Sequence, residues 1–154
     1  MGVEHEVDFG LVGDVHQVQT EALTSLMDAG LVPVLACLGV DPRSGAILNI
    51  NADVVSVDIA AAMNADTLFA ISNVPGVLKD ASDPQTRIAL MRPDDIQRGI
   101  EDGTISGGMV AKLEEAQRAL RLGVGRVMIA GPANGGVLAA ALRGEQGTVI
   151  SLEG

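Results

Sequence analysis

Four apolar runs recur along the chain: LVPVLACLGV (31–40), TLFAIS (67–72), RVMIAG (126–131) and TVISL (148–152). Continuous apolar stretches of this kind predict strands buried on both faces. The segments between them carry a helical period instead. Leu23, Leu26 and Met27 form a short stripe that Thr20 can cap and Gly30 can end. Asn51 or Asp53 starts a second helix running to about Met63, and Pro93 suits the first turn of a third, Asp94 to Glu101. Met109, Leu113, Ala116 and Leu120 recur at i, i+4, i+7 and i+11, one face of a long amphipathic helix. A small-residue helix is expected over 134–143. Strands separated by helices imply parallel pairing with helices on both faces, so the fold class is α/β. Residues 6–18 alternate weakly around Gly10 and Gly13 and predict a β-hairpin.

The 154 residues suit one domain or a little more. Hydrophobic residues make up 47% against 19% charged, which argues against disorder. With two Phe and neither Trp nor Tyr, the core must be built from aliphatic side chains and Met. The net charge of −10 repels phosphate backbones, and no aromatic platform exists for bases, so nucleic acid is excluded as the expected partner. Charge is uneven: seven acids and no Lys or Arg precede Arg43, while seven of the ten basic residues fall between Arg87 and Arg126. Solvated helix faces account for that clustering. The longest charge-free run, Val127 to Leu142, is 16 residues broken by Gly and Pro, so no membrane span is expected. MGVEHEVDFG has neither the basic region nor the apolar region of a secretory signal. One cysteine, Cys37, sits within an apolar run and is expected to be a buried, inert thiol; a cytoplasmic location follows.

Several familiar signatures are absent. There is no G-x-x-x-x-G-K-[ST] loop, and Gly123-x-Gly125 lacks the third glycine of a dinucleotide fingerprint. His5 and His16 have no partners at ligand spacing, so no metal site is expected. Three polar clusters remain. Asn49-Ile50-Asn51-Ala52-Asp53 is either an Asx turn with a helix cap or a polar group at a strand end facing a ligand crevice. Ile71-Ser72-Asn73-Val74-Pro75-Gly76-Val77-Leu78 is a turn at the carboxyl end of a buried strand. Asp102-Gly103-Thr104-Ile105-Ser106-Gly107-Gly108-Met109, with Lys112 one helical turn on, offers unshielded backbone N–H groups and a cation to an anion; a flexible loop with a solvated lysine is the competing reading.

Taken together and in this order, DFGLVGDV (8–15), LNINAD (48–53), NVPGVL (73–78) and GTISGGMVAK (103–112) resemble the amino-acid kinase family, and within it the acetylglutamate branch. The resemblance spans nearly the whole chain and matches the carboxyl-terminal part of such an enzyme. It implies a three-layer fold, a mostly parallel sheet sandwiched between helices, here without its amino-terminal half. Residues 1–154 would then be the ATP-binding half. The Lys and Gly-rich first turn of the family, its second Gly-Gly turn and its substrate-gripping arginine are not in the sequence.

The implied activity is ATP-dependent phosphorylation of the side-chain carboxylate of N-acetyl-L-glutamate, with Mg²⁺ carried on the nucleotide phosphates. Lys112 and Asp53 are implied as catalytic, the first stabilising the transferring phosphoryl group and the second orienting lysines. Asn49 and Asn51 are implied as substrate-binding. ATP is implied to lie against Asn73, Val74, Pro75, Gly76, Val77 and Leu78, and against Thr104, Ile105, Ser106, Gly107 and Gly108. Asn73 stands where the family commonly has aspartate. The alternatives are a kinase for a related acyl amino acid, such as a carrier-linked aminoadipate, and a non-catalytic nucleotide-binding or regulatory module. A sheet lacking its usual neighbour would expose an edge, making self-association an expected property.

Overall fold

A computed structural model describes residues 10–131 and 136–153. The chain divides into two compact units, Met1–Val55 and Ser56–Gly154.

The first unit holds helix α1 (Thr20–Asp28) and a two-stranded antiparallel hairpin, β1 (Leu38–Val40) and β2 (Ile47–Asn49). The hairpin turn is built by Asp41, whose carboxylate accepts the Arg43 amide at 3.0 Å and the Ser44 hydroxyl at 2.5 Å. These bonds hold the Asp41 carboxyl below its ordinary value, the Ser44 hydroxyl being the leading cause. Three expectations are corrected here. The run 31–40 is not a buried strand: only its last three residues pair, and Val32 and Val34 are 87% and 94% exposed. A strand with a single partner in a two-stranded hairpin has no second neighbour to enclose it. Cys37 is accordingly half-buried rather than buried. Of the hairpin expected over 6–18, the described residues show Val12 bridging Asn49 in parallel, the Gly13 amide donating to the Asn49 carbonyl at 3.0 Å. The rest of the expected hairpin, with His5, lies outside the described residues. Thr20 is the first helical residue, and the cap position falls to Gln19 without a side-chain bond.

The second unit is a four-stranded sheet in the order β3 (Thr67–Ile71), β5 (Arg126–Ala130), β6 (Thr148–Ile150), β4 (Leu90–Met91). β3 and β5 pair in parallel, as do β4 and β6, but β5 and β6 are antiparallel. Two of the three pairings are parallel, so the sheet is mostly parallel as expected, and β6 against β5 is the exception. β6 follows α5 (Val137–Leu142) and returns antiparallel alongside the strand just completed.

Alternation along β5 sorts the core into two layers. Val127 and Ile129 face one side, where they meet Val57 and Ala60 of α2 (Ala52–Ala62), Ile96 of α3 (Pro93–Glu101), and Leu113, Ala116 and Leu120 of α4 (Gly108–Arg121). Met128 and Ala130 face the other side with Phe69, Val149 and Ala141 of α5. Helices on both faces of one sheet make the three-layer α/β arrangement. The stripe predicted for α4 is real, with Leu113, Ala116 and Leu120 buried and Met109 half-buried. A link between helices reinforces the layer: Arg118 of α4 donates to Asp58 of α2 at 2.6 Å and pairs with Glu115 at 3.3 Å.

Candidate functional site

The carboxyl ends of parallel strands are where open α/β sheets leave room for ligands. β3 ends at Ile71, and the chain then turns through Ser72 to Leu78 before a loop braced by Asp80. That carboxylate accepts the Ser82 amide at 2.8 Å and the Ser82 hydroxyl at 2.7 Å, which together hold its carboxyl below the usual range. On the other side, α3 leads into Asp102, whose carboxylate accepts the Thr104 amide at 2.9 Å. The Thr104 hydroxyl, first, and then its amide keep the Asp102 carboxyl below its ordinary value. Ile105 is buried and anchors this loop, its amide donating to the Gly99 carbonyl at 2.7 Å. Gly107, with φ +59°, then caps α4.

Between the two loops lies a cavity of about 420 Å³, a volume within the usual range for small-molecule sites. From the first loop it is lined by Asn73, Val74, Gly76, Val77 and Leu78. From the second come Thr104, Ile105, Ser106 and Gly108, with Lys112 from the first turns of α4. Two clusters some 30 residues apart in the sequence thus share one concave surface. Pro75 and Gly107 shape their loops without lining it. Ser72 and Met109, at the edges of the two clusters, also line it, as does Ala81, which was not singled out from the sequence. Ala81 sits beyond the recognisable turn. The Ser72 hydroxyl reaches the Asn73 carboxamide at 3.4 Å, a local relation that no pattern announces.

The lining is mainly apolar, with polar groups from both loops and Lys112 from α4. The first turn of a helix presents N–H groups without intrahelical partners and the positive end of its dipole. At Gly108 and Met109 these face the same cavity as Lys112. An apolar slot with a positive end suits a ligand with a flat apolar moiety and an anionic tail.

The remaining candidates lie in the first unit. Asn49 is exposed at the end of β2. The Asn51 carboxamide oxygen accepts the Asp53 amide at 2.8 Å and the Val54 amide at 3.4 Å, which is the helix-cap reading of that cluster. Asp53 occupies the first turn of α2. Among the described residues there is no group of three or more His, Cys, Asp or Glu able to hold a metal, and no helix long and apolar enough to cross a membrane.

The model of the amino acid kinase family matches residues 3–131. The chain belongs to that family. Among curated amino acid kinases, the acetylglutamate kinase of Methanopyrus kandleri is 48% identical over 124 residues, covering 80% of this chain and 50% of the relative. The acetylglutamate kinase of Anaeromyxobacter dehalogenans is 46% identical over 146 residues, covering 94% and 54%. The chain therefore spans about half the length of the curated relatives it matches. Among solved structures, smu.665 of Streptococcus mutans superposes with a TM-score of 0.74 at 30% identity, covering 94% of this chain and 53% of that one. N-acetylglutamate synthase of Neisseria gonorrhoeae, solved with coenzyme A and L-arginine, gives 0.83 at 25% identity, over 99% and 35%. Carbamate kinase of Giardia lamblia shares the fold, with a TM-score of 0.64 at 20% identity over 87% and 44%.

Proposed function

We propose that this chain supplies the ATP-binding half of an acetylglutamate kinase. One observation carries the reading: the loop after β3 and the loop before α4 close on a single cavity that ends at Lys112 and a helix amino terminus. Relatives named acetylglutamate kinase at 46–48% identity support N-acetylglutamate as the acceptor. In this reading the adenine and ribose lie against Asn73–Leu78 and Thr104–Ser106, and the phosphates point toward Gly107, Gly108 and Lys112. Mg²⁺ arrives on those phosphates. Asn49 and Asn51 bind the acceptor and Asp53 positions lysines. Residues 1–154 act as one functional half, and self-association through an exposed sheet edge belongs to the same proposal.

The chemistry suits these residue types. The acceptor of an acetylglutamate kinase is already a carboxylate, so no general base is needed. The obstacle is repulsion between two anions, overcome by alignment and by positive charge at the transferring group. Lys112 is the group of this chain that meets that charge. Removing one such contact costs on the order of 10²–10³ in rate.

The test has two stages. Calorimetric titration of the 154-residue chain with MgADP should show binding that is lost in Gly76→Val. Gly76 has φ +149°, and a Cβ there would sit 2.8 Å from the Thr148 hydroxyl oxygen. In a complete enzyme carrying this half, Lys112→Ala should lower kcat far more than it raises the KM for ATP. A folded chain without affinity for MgADP, or a Lys112→Ala enzyme with normal kcat, overturns the reading. The likeness to a synthase solved with coenzyme A and L-arginine favours a second reading, a non-catalytic ligand-binding module. That reading gains if MgADP binds and the complete protein transfers no phosphate to N-acetyl-L-glutamate or a related acyl amino acid.

A further inference from the structure

We propose that Thr148 is a positioning residue of the cavity, holding the Gly76–Val77 stretch from behind; this rests on the nucleotide reading above. Thr148 opens β6 and is fully buried, 0% exposed. It does not line the cavity. A buried hydroxyl is costly unless both its donor and its acceptor capacities are met. Here both are: the Val77 amide donates to Oγ1 at 2.8 Å, and the hydroxyl donates to the Ile88 carbonyl at 2.6 Å. The Ile88 amide donates directly to the Val77 carbonyl at 2.9 Å, so the hydroxyl completes a pairing that the backbone only half makes.

The residue before it works on the same loop. The Gly147 amide donates to the Pro75 carbonyl at 3.1 Å, while its own carbonyl accepts the Arg87 guanidinium. Pro75 and Val77 of the loop are thus held by Gly147 and by Thr148, the first residue of β6. Val77 and Gly76 present their other side to the cavity. Two close approaches leave the loop no slack: Gly76 lies against Thr148, and Gly131 lies so near Val74 that a Cβ would fall 2.2 Å from its carbonyl oxygen. Oγ1 of Thr148 therefore fixes how far Val77 stands from the opposite loop and so the width of the slot.

Valine has the shape of threonine without the hydroxyl, and serine has the hydroxyl without the methyl. The experiment compares the chain with Thr148→Val and Thr148→Ser by amide hydrogen exchange without ligand, by thermal melting, and by calorimetry with MgADP. Thr148→Val should speed exchange at the Val77 amide at least tenfold while core amides of β5 keep their protection, and should weaken MgADP at least tenfold. Thr148→Ser should stay within about threefold of the parent in both. Should Thr148→Val fail to fold, Thr148→Cys carries the same comparison, a thiol being a weak donor and acceptor. Unchanged Val77 exchange in the valine or cysteine variant overturns the positioning role. Altered exchange with unchanged MgADP affinity confines Thr148 to the fold and overturns its role in the site. A parent chain that does not bind MgADP overturns the nucleotide reading itself and the site role with it.

Discussion

Ile105 and Gly99 are locked together: the Ile105 amide donates to the Gly99 carbonyl at 2.7 Å, and a Cβ on residue 99 would lie 2.6 Å from Cδ1 of Ile105 and 2.9 Å from Cγ1. Ile105 is both a buried core residue and part of the cavity wall. Gly99→Ala should therefore destabilise the protein by about 1–3 kcal/mol, the usual cost of overpacking. Removing Cδ1 in the Gly99→Ala/Ile105→Val double variant should recover part of that loss. Chemical denaturation of the two variants checks both statements; equal losses for the single and double variants would show that the contact is not the cause.

Gly131 follows β5 directly, and the atoms it would strike are backbone rather than flexible side chain: the Val74 carbonyl carbon at 2.5 Å and the Pro75 nitrogen at 3.0 Å. Gly131→Ala must move the loop. The expected outcome is at least a tenfold loss of MgADP affinity, about 1.4 kcal/mol, read by calorimetry. Because the clash falls on the loop and not on Val127 or Ile129, far-UV circular dichroism should be unchanged.

The Asp58–Arg118 pair bridges two helices in a partly sheltered place, and one oxygen of Asp58, Oδ2, is buried without a hydrogen-bond partner. The bond it donates to Asp58 is the main reason the Arg118 guanidinium holds its proton above its ordinary value. Arg118→Ala should cost about 1.5–3 kcal/mol, the range for hydrogen bonds to charged groups. Asp58→Ala/Arg118→Ala should cost less than the sum of the single changes, since neither partner is left charged and alone. Urea unfolding of the full cycle measures the coupling; strict additivity would remove it.

Acid should loosen the rim of the cavity through Asp102. Its carboxyl is held below 3.8 in the folded chain, so the bonds to Thr104 are complete above the unfolded value and are lost as pH falls through the folded one. In an NMR titration the Thr104 amide signal should be flat near neutrality and move with a midpoint below 3.8. Asp102→Ala should abolish that inflection and leave the spectrum of β5 in place.

Much of this arrangement can be read from residue order, for reasons that differ by element. The α4 stripe is legible because a helix repeats its buried face every three or four residues, and Leu113, Ala116 and Leu120 obey that period. The Asn73–Leu78 and Thr104–Gly108 clusters are legible because turn chemistry is local. Strand direction is not local. Nothing in TVISL distinguishes a parallel partner from an antiparallel one, and the pairing of β6 with β5 emerges only in the folded sheet. The run 31–40 misleads because an apolar stretch announces a need for cover without saying whether its own unit provides it. The bond from Val77 to Thr148 spans 71 residues, a separation at which a single threonine in a strand carries no signal.

The reversed direction of β6 has a practical side. Its start, at Thr148, meets the rim where β3 and β5 finish, so its end at Ile150 lies beside Val127, toward the opposite rim. Whatever is attached beyond that strand therefore leaves from the far side of the sheet. A fluorophore, an affinity handle or an immobilising linker placed after residue 153 should leave the cavity's mouth unobstructed, whereas the same addition between Leu78 and Arg87 would crowd it.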